Sequence, residues 1–288
     1  MVDTEAARAK RLAAFALGAG LLLLGAAWPL NWALEGLRTH VLFFPLWLGY
    51  VLTVEGWTVL RTGTSALARS RSMFLKLFLY SVPAWWLFEA FNLRLGNWEY
   101  PGREHFTDFE YFVLASVAFS TVAPAVLGTA ELLQSFSFFD RFARGPRVPK
   151  TARVYRRSFT IGFVMLVAMF VWPQYCFPFA WTSLVLMLEP LNARLGRRGL
   201  LDDLAEGDWR RWAALWGSGL ICGFFWEMWN HWSYPKWIYH VPYVGFGKVF
   251  EMPILGYLGY LPFALELYLL RELLVPEERA PMLRGRGR

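Results

Sequence analysis

The sequence predicts an all-α, polytopic transmembrane helix bundle: about eight spans, arranged as two tandem four-helix repeats that run parallel through the bilayer. Three observations carry this. The 288 residues are 56% hydrophobic and 18% aromatic but only 18% charged, too apolar for an ordinary soluble domain. Apolar stretches near positions 13–32, 41–60, 73–92 and 109–133 are each roughly 20 residues, enough to cross about 30 Å of hydrocarbon as helix. Four more follow near 159–172, 177–191, 211–230 and 249–270, and a block of residues in the first half recurs in the second.

The first stretch follows Arg8, Lys10 and Arg11 and ends in small residues, an imitation of a secretory signal. It is read as a retained span because its Trp28-Pro29 end recurs as Trp172-Pro173. The net charge of +7 is not distributed like a nucleic-acid-binding stripe, so nucleic acid is not an expected partner. Basic residues fall instead in every second connection: Arg8–Arg11, then Arg61, Arg69 and Arg71, then 141–157, then Arg194, Arg197 and Arg198, and finally Arg284–Arg288. The positive-inside rule makes these connections and both termini cytoplasmic, in an integral protein expected in a prokaryotic inner membrane. Connections around Arg38, Trp98, Cys176 and Trp237 then lie outside. The expected organisation is a first repeat over 1–140, a basic linker over 141–157 marked by Gly145-Pro146 and Pro149, a second repeat over 158–275, and a basic tail over 276–288.

In the recurring block, Phe88-Glu89-Ala90-Phe91-Asn92 precedes Trp98 and Tyr100, and Trp226-Glu227-Met228-Trp229-Asn230 precedes Trp237 and Tyr239. Phe109-Glu110 then matches Phe250-Glu251, and Pro124 matches Pro262, each proline at the same distance beyond its glutamate. Glu55 parallels Glu189, and Glu131 pairs with Glu266 across a gap. A third Glu-x-x-Asn, Glu189 with Asn192, falls where the half-repeat does not predict one.

A carboxylate in hydrocarbon costs roughly 2–3 kcal/mol on insertion scales, so it normally faces protein or a wet cavity. Glu89, Glu227, Glu110 and Glu251 are the candidate chemical groups. Glu89 and Asn92, like Glu227 and Asn230, stand at i and i+3 and share a helix face, so Asn92 and Asn230 join Trp98, Tyr100, Trp226, Trp229, Trp237 and Tyr239 as candidate substrate contacts. Helix-start capping is the competing role for Glu110 and Glu251, and an interfacial belt the competing role for the aromatics. His231 and His240 lack metal-ligand spacing, as do Cys176 and Cys222, so neither a metal nor another cofactor is expected.

These motifs resemble those of the small membrane lycopene cyclases, in which an acidic residue and Asn at a helix end precede a Trp-x-Tyr turn and an acidic helix start, twice over. The matching stretches are 88–102 with Asp108-Phe109-Glu110-Tyr111-Phe112, and 226–242 with Phe250-Glu251. The chain departs in carrying one glutamate where the family usually shows two adjacent, Glu89 and Glu227 where the family carries Asp, and more spans than the usual six or seven. The resemblance implies redox-neutral ring closure of a lipid-soluble polyene of the isoprenoid or carotenoid kind, without a water-soluble cofactor. It implies Glu89 or Glu227 as the acid, Glu110 or Glu251 as the base, and the aromatic rings as a shield for the cation. Two other readings fit the same residues: a proton- or cation-coupled transporter, and a noncatalytic lipid-binding protein in which they only pack. A homodimer is compatible with the sequence, though no small-residue helix face commands one.

Overall fold

The computed structural model describes residues 2–275; the expected basic tail lies outside the described residues. The chain forms α1 (Val2–Ala33), α2 (Thr39–Thr62), α3 (Ala66–Arg69), α4 (Arg71–Leu95), α5 (Asp108–Phe119), α6 (Val122–Gln134) and α7 (Ala152–Val171), then α8 (Pro173–Cys176), α9 (Ser183–Arg194), α10 (Leu201–Glu206), α11 (Arg210–His231) and α12 (Tyr260–Leu274). Four two-residue strands complete it: β1 (Trp98–Glu99), β2 (Ile238–Tyr239), β3 (Lys248–Val249) and β4 (Met252–Pro253). Among the described residues, four helices are long and apolar enough to cross a membrane: Ala7–Ala33, Thr39–Thr62, Asp108–Gln134 (α5 continued by α6) and Ala152–Val171.

Burial grades the helices from the inside out. Along α12 every residue from Phe263 to Glu272 is buried, and α6 is buried from Val122 to Ala130, whereas α7 buries only Gly162 and Met169. The outer helix α1 lies against α2 at backbone contact: a Cβ on Gly20 would stand 2.5 Å from Thr53 Oγ1, and one on Gly56 2.9 Å from the Ala13 carbonyl. Small residues therefore serve pairing within the chain.

Three expected spans are interrupted. Between α5 and α6 the hydroxyl of Ser81 donates to the Phe119 carbonyl at 2.6 Å and accepts from the Ala123 amide at 3.0 Å, entering the ladder where those two groups would otherwise bond each other. Pro124, lacking an N–H, leaves the Ser120 carbonyl without its helical donor one residue later. In the stretch 177–191, the 3-10 turn Phe177–Trp181 precedes α9. The stretch 249–270 is α-helical only from Tyr260: β3 pairs with β4 across Val249↔Met252, and a 3-10 turn covers Ile254–Gly259. Gly256 crosses so close to Met252 that a Cβ would lie 2.3 Å from its sulfur, so the chain there folds as a compact loop.

The connections collect at two ends. At one, the amides of Arg38 and Thr39 both donate to the Tyr234 carbonyl, His240 N–H donates to the Asn97 carbonyl, and Tyr175 stacks on Tyr243 at 5.8 Å. At the other, Arg61 donates to Ser135, Arg69 grips Glu131 through both its Nη atoms, and Gly145 N–H donates to the Gly207 carbonyl. The first end unites the connections poor in Lys and Arg, and the second unites the rich ones. The segment read as a linker is pinned there, with Trp209 Nε1–H on the Pro146 carbonyl and Lys150 paired to Asp202.

Candidate functional site

The site is built at the ends of α4 and α11. Helix α4 stops at Gly96, whose φ of 62° is the left-handed conformation that glycine adopts without steric cost, with its amide on the Asn92 carbonyl. The Asn92 side chain then catches the next strand: Oδ1 accepts the Asn97 and Trp98 amides at 2.9 and 3.2 Å, and Nδ2 donates to the Trp98 carbonyl at 2.7 Å. Asn230 does the same at the end of α11, accepting the Trp237 amide at 2.9 Å and donating to its carbonyl at 2.7 Å. Asn92 and Asn230, expected as substrate contacts, thus hold the backbone of the two turns. Neither lines the cavity described below.

The two turns meet. Strand β1 pairs antiparallel with β2, Trp98 opposite Tyr239 and Glu99 opposite Ile238. Side chains alternate across a strand, so Trp98 and Tyr100 share one side of the ribbon with Trp237 and Tyr239, while Glu99 turns outward to His240. The inward rings enter a cavity of about 480 Å³, lined also by Trp85, Trp226 and Tyr260, with Trp181 and Phe263 between the two motifs. Trp181 stacks on Phe88 and Trp98, with centroids 5.2 and 6.1 Å apart.

Behind this wall stand the two glutamates. Glu89, half-buried, accepts on one oxygen from Tyr100 OH at 2.5 Å, Trp85 Nε1–H at 2.8 Å and Trp98 Nε1–H at 3.2 Å. Glu227, fully buried, accepts on Oε1 from Tyr239 and Tyr260 hydroxyls, each at 2.7 Å, and its Oε2 is buried without a hydrogen-bond partner. Each carboxyl therefore reaches the cavity through phenols.

No protein-family model, curated protein or solved structure matches this chain. Its chemistry is accordingly read from the geometry.

The other expected residues divide. Trp98, Tyr100, Trp226, Trp237 and Tyr239 line the cavity. Trp229 does not: it packs among Trp28, Trp47 and Phe225. Glu110 is exposed and closes a capping box with Thr107, its Oε2 accepting the Thr107 amide at 2.9 Å while Thr107 Oγ1 accepts the Glu110 amide. Glu251 pairs with Lys236 at 2.5 Å and lies 3.5 Å from His231 Nδ1. Neither Glu110 nor Glu251 lines the cavity; Glu251 is bonded to Lys236, which does, and Glu110 is bonded only to Thr107, which does not. In the rim turn, the exposed Glu104 is held below the usual carboxylate range by its own and the Gly102 backbone amides. Glu189, in the third Glu-x-x-Asn, accepts the Leu200 and Leu201 amides at the start of α10, and its partner Asn192 donates to the Leu269 carbonyl at 2.9 Å. Among the described residues no three His, Cys, Asp or Glu cluster to hold a metal.

Sequence reasoning missed Tyr260, Trp181 and Phe263. The proline match puts Val122 opposite Tyr260, so comparing the two blocks offered no sign of a second phenol.

Proposed function

We propose that the protein is a membrane-embedded acid–base catalyst that cyclises a lipid-soluble polyene of the isoprenoid class without net oxidation or reduction. One observation carries the reading: two carboxyl–phenol pairs, Glu89 with Tyr100 and Glu227 with Tyr239 and Tyr260, converge on a single aromatic cavity. In this reading the chain crosses a prokaryotic inner membrane eight times as two parallel four-helix repeats. The gathering of the Arg-rich connections at one end supports cytoplasmic termini.

Glu227 serves as the acid and Glu89 as the base. Glu227 is fully buried and its Oε2 forms no hydrogen bond of normal geometry, with the Trp237 indole as the one further donor beside the carboxyl, so an ion there costs more to bury than the protonated group. Three donors converging on one Glu89 oxygen suit a carboxylate. In the reaction the Glu227 proton moves to a phenol oxygen as that phenol gives its own proton to a terminal C=C bond. A second π bond attacks the cation, closing a C–C bond. Loss of a neighbouring proton through Tyr100 to Glu89 forms the ring alkene. The product is an isomer of the substrate. Aromatic faces around a cation contribute about 0.5–2 kcal/mol each.

The test is mass spectrometry of lipid extracts from cells that make polyene precursors and express wild type, Glu227→Gln or Glu89→Gln at matched levels. A cyclised isomer made by wild type and lost in both variants is expected. No isomer from folded wild type overturns the proposal.

A further inference from the structure

We infer that the seam between α9 and α12 carries protons between the Arg-rich end of the molecule and the cavity, with Glu266 as the carrier midway. The inference rests on the acid–base reading above, in which every turnover moves one proton from Glu227 to Glu89 and must be reset.

Glu266 is fully buried on α12, and neither of its oxygens forms a hydrogen bond of normal geometry; it stands against the backbone amide of Leu184 in the first turn of α9. The neighbouring hydroxyls of Ser183 and Thr182 are likewise buried and unpartnered, and Thr182 also lines the cavity. On α12 the cavity floor is Pro262 and Phe263, so Glu266 lies one turn, about 5.4 Å, below it. One turn further on, the Leu269 carbonyl takes Asn192 Nδ2–H, while Asn192 Oδ1 has no partner. Beyond that, the Glu272 carbonyl accepts from Arg197 at 3.1 Å, at the Arg-rich end. Residues 262, 266, 269 and 272 follow one another at intervals of about one turn along α12, so these groups step down the helix from the cavity to the Arg-rich end.

Buried polar atoms are normally paired, and water bridges those that are not. Here they succeed one another along one seam from cavity floor to the Arg-rich end. Glu131, which the sequence pairs with Glu266, shows the contrast: Arg69 holds both its oxygens, at 2.5 and 2.8 Å. A carboxyl gripped by a guanidinium is a fixed anion. One with no fixed partner, set in a seam where Thr182, Ser183 and Asn192 also keep unpartnered oxygens, can accept a proton on one side and release it on the other.

Infrared spectroscopy of the full-length protein in lipid nanodiscs, without substrate, tests the path. The expected result is a C=O band of an un-ionised carboxyl that disappears in Glu266→Gln and shifts within minutes of transfer to D₂O. Asn192→Leu and Ser183→Ala, each removing one polar partner, should slow that shift by about tenfold or more. A Glu266 band that is absent, or that does not shift in D₂O, overturns the inference, as does an unchanged exchange rate in both seam variants. Should Glu266→Gln fail to fold, the seam variants decide on the exchange rate alone. Because no polyene enters this measurement, an exchanging Glu266 alongside a wild type that makes no cyclised product refutes the cyclase reading and leaves the path standing. Cyclisation at the wild-type rate by Glu266→Gln refutes the carrier role alone.

Discussion

At the end of α4, Glu89 is half-buried and one of its oxygens collects two indole N–H groups and a phenol; at the end of α11, Glu227 is fully buried, holds two phenols, and its second oxygen forms no hydrogen bond of normal geometry. The turns that follow are alike, each fastened by an asparagine whose amide donates to a tryptophan carbonyl at 2.7 Å. The same framework thus aims an aromatic pair at the cavity from two directions while leaving each carboxyl a different environment. Divergent environments around matching carboxyls are what acid–base chemistry requires, since one group must give a proton while the other takes one.

The largest effects test that division. Glu227→Gln and Glu89→Gln should each lower cyclised product by about 10²-fold or more, the range of general acid–base contributions. They should differ in what the recovered polyene carries. In D₂O, the Glu89 variant still protonates the double bond and, unable to finish, returns a polyene labelled with deuterium. The Glu227 variant returns it unlabelled. Label in the Glu227 variant and none in the Glu89 variant would exchange the two roles, and label in neither would remove proton transfer from both.

Next come the phenols. Tyr239→Phe leaves Tyr260 on Glu227, and Tyr260→Phe leaves Tyr239, so each alone should reduce product by about tenfold, the worth of one hydrogen bond at the upper end of the usual range. The double variant strips Glu227 Oε1 of both hydroxyls and should approach Glu227→Gln. Tyr100→Phe removes the relay between the cavity and Glu89, which the two indoles, being donors only, cannot replace, so its loss should approach that of Glu89→Gln. A much smaller loss would mean that the substrate's proton reaches Glu89 without a phenol.

How much of this was legible in the sequence follows the reach of each signal. The repeated block marked Glu89, Tyr100, Glu227 and Tyr239 as one group of residues, because a helix end and the turn after it are local structure, though not that each phenol bonds its carboxyl. The alternation of basic connections foretold which loops would meet, since Tyr234 and Arg38, far apart in sequence, were both expected outside. Tyr260 was invisible because it comes from a separate helix, 33 positions beyond Glu227, with a valine opposite it in the first block. Ser81 splitting the helix after Phe119 was equally hidden, being a contact across 38 positions. The backbone role of the asparagines was hidden for a different reason: a polar amide sharing a face with a carboxylate looks the same in sequence whether it turns to a ligand or to its own backbone.

The turns themselves supply a smaller contrast. Asn230 is buried and Asn92 only half-buried, so Asn230→Leu should cost about 1–3 kcal/mol in leaving the Trp237 amide and carbonyl unpaired, and Asn92→Leu less, water reaching the freed groups. Thermal unfolding in detergent measures both. A larger loss at Asn92 would show that the Trp98 turn, which receives one more backbone amide, carries the ribbon.

The smallest expected effect bears on the base. A role for Glu110 follows from the resemblance, and its side chain instead faces solvent, bonded to Thr107 at the start of α5. Glu110→Ala removes the two hydrogen bonds that its Oε2 accepts from Thr107 and nothing that touches the cavity, so product should remain at the wild-type level with a melting midpoint little moved. Product loss on the scale of Glu89→Gln would mean that α5 moves during turnover and carries Glu110 to the substrate. Glu89 would then be a positioning residue for Tyr100, and the contrast between the two glutamates would describe the resting protein alone.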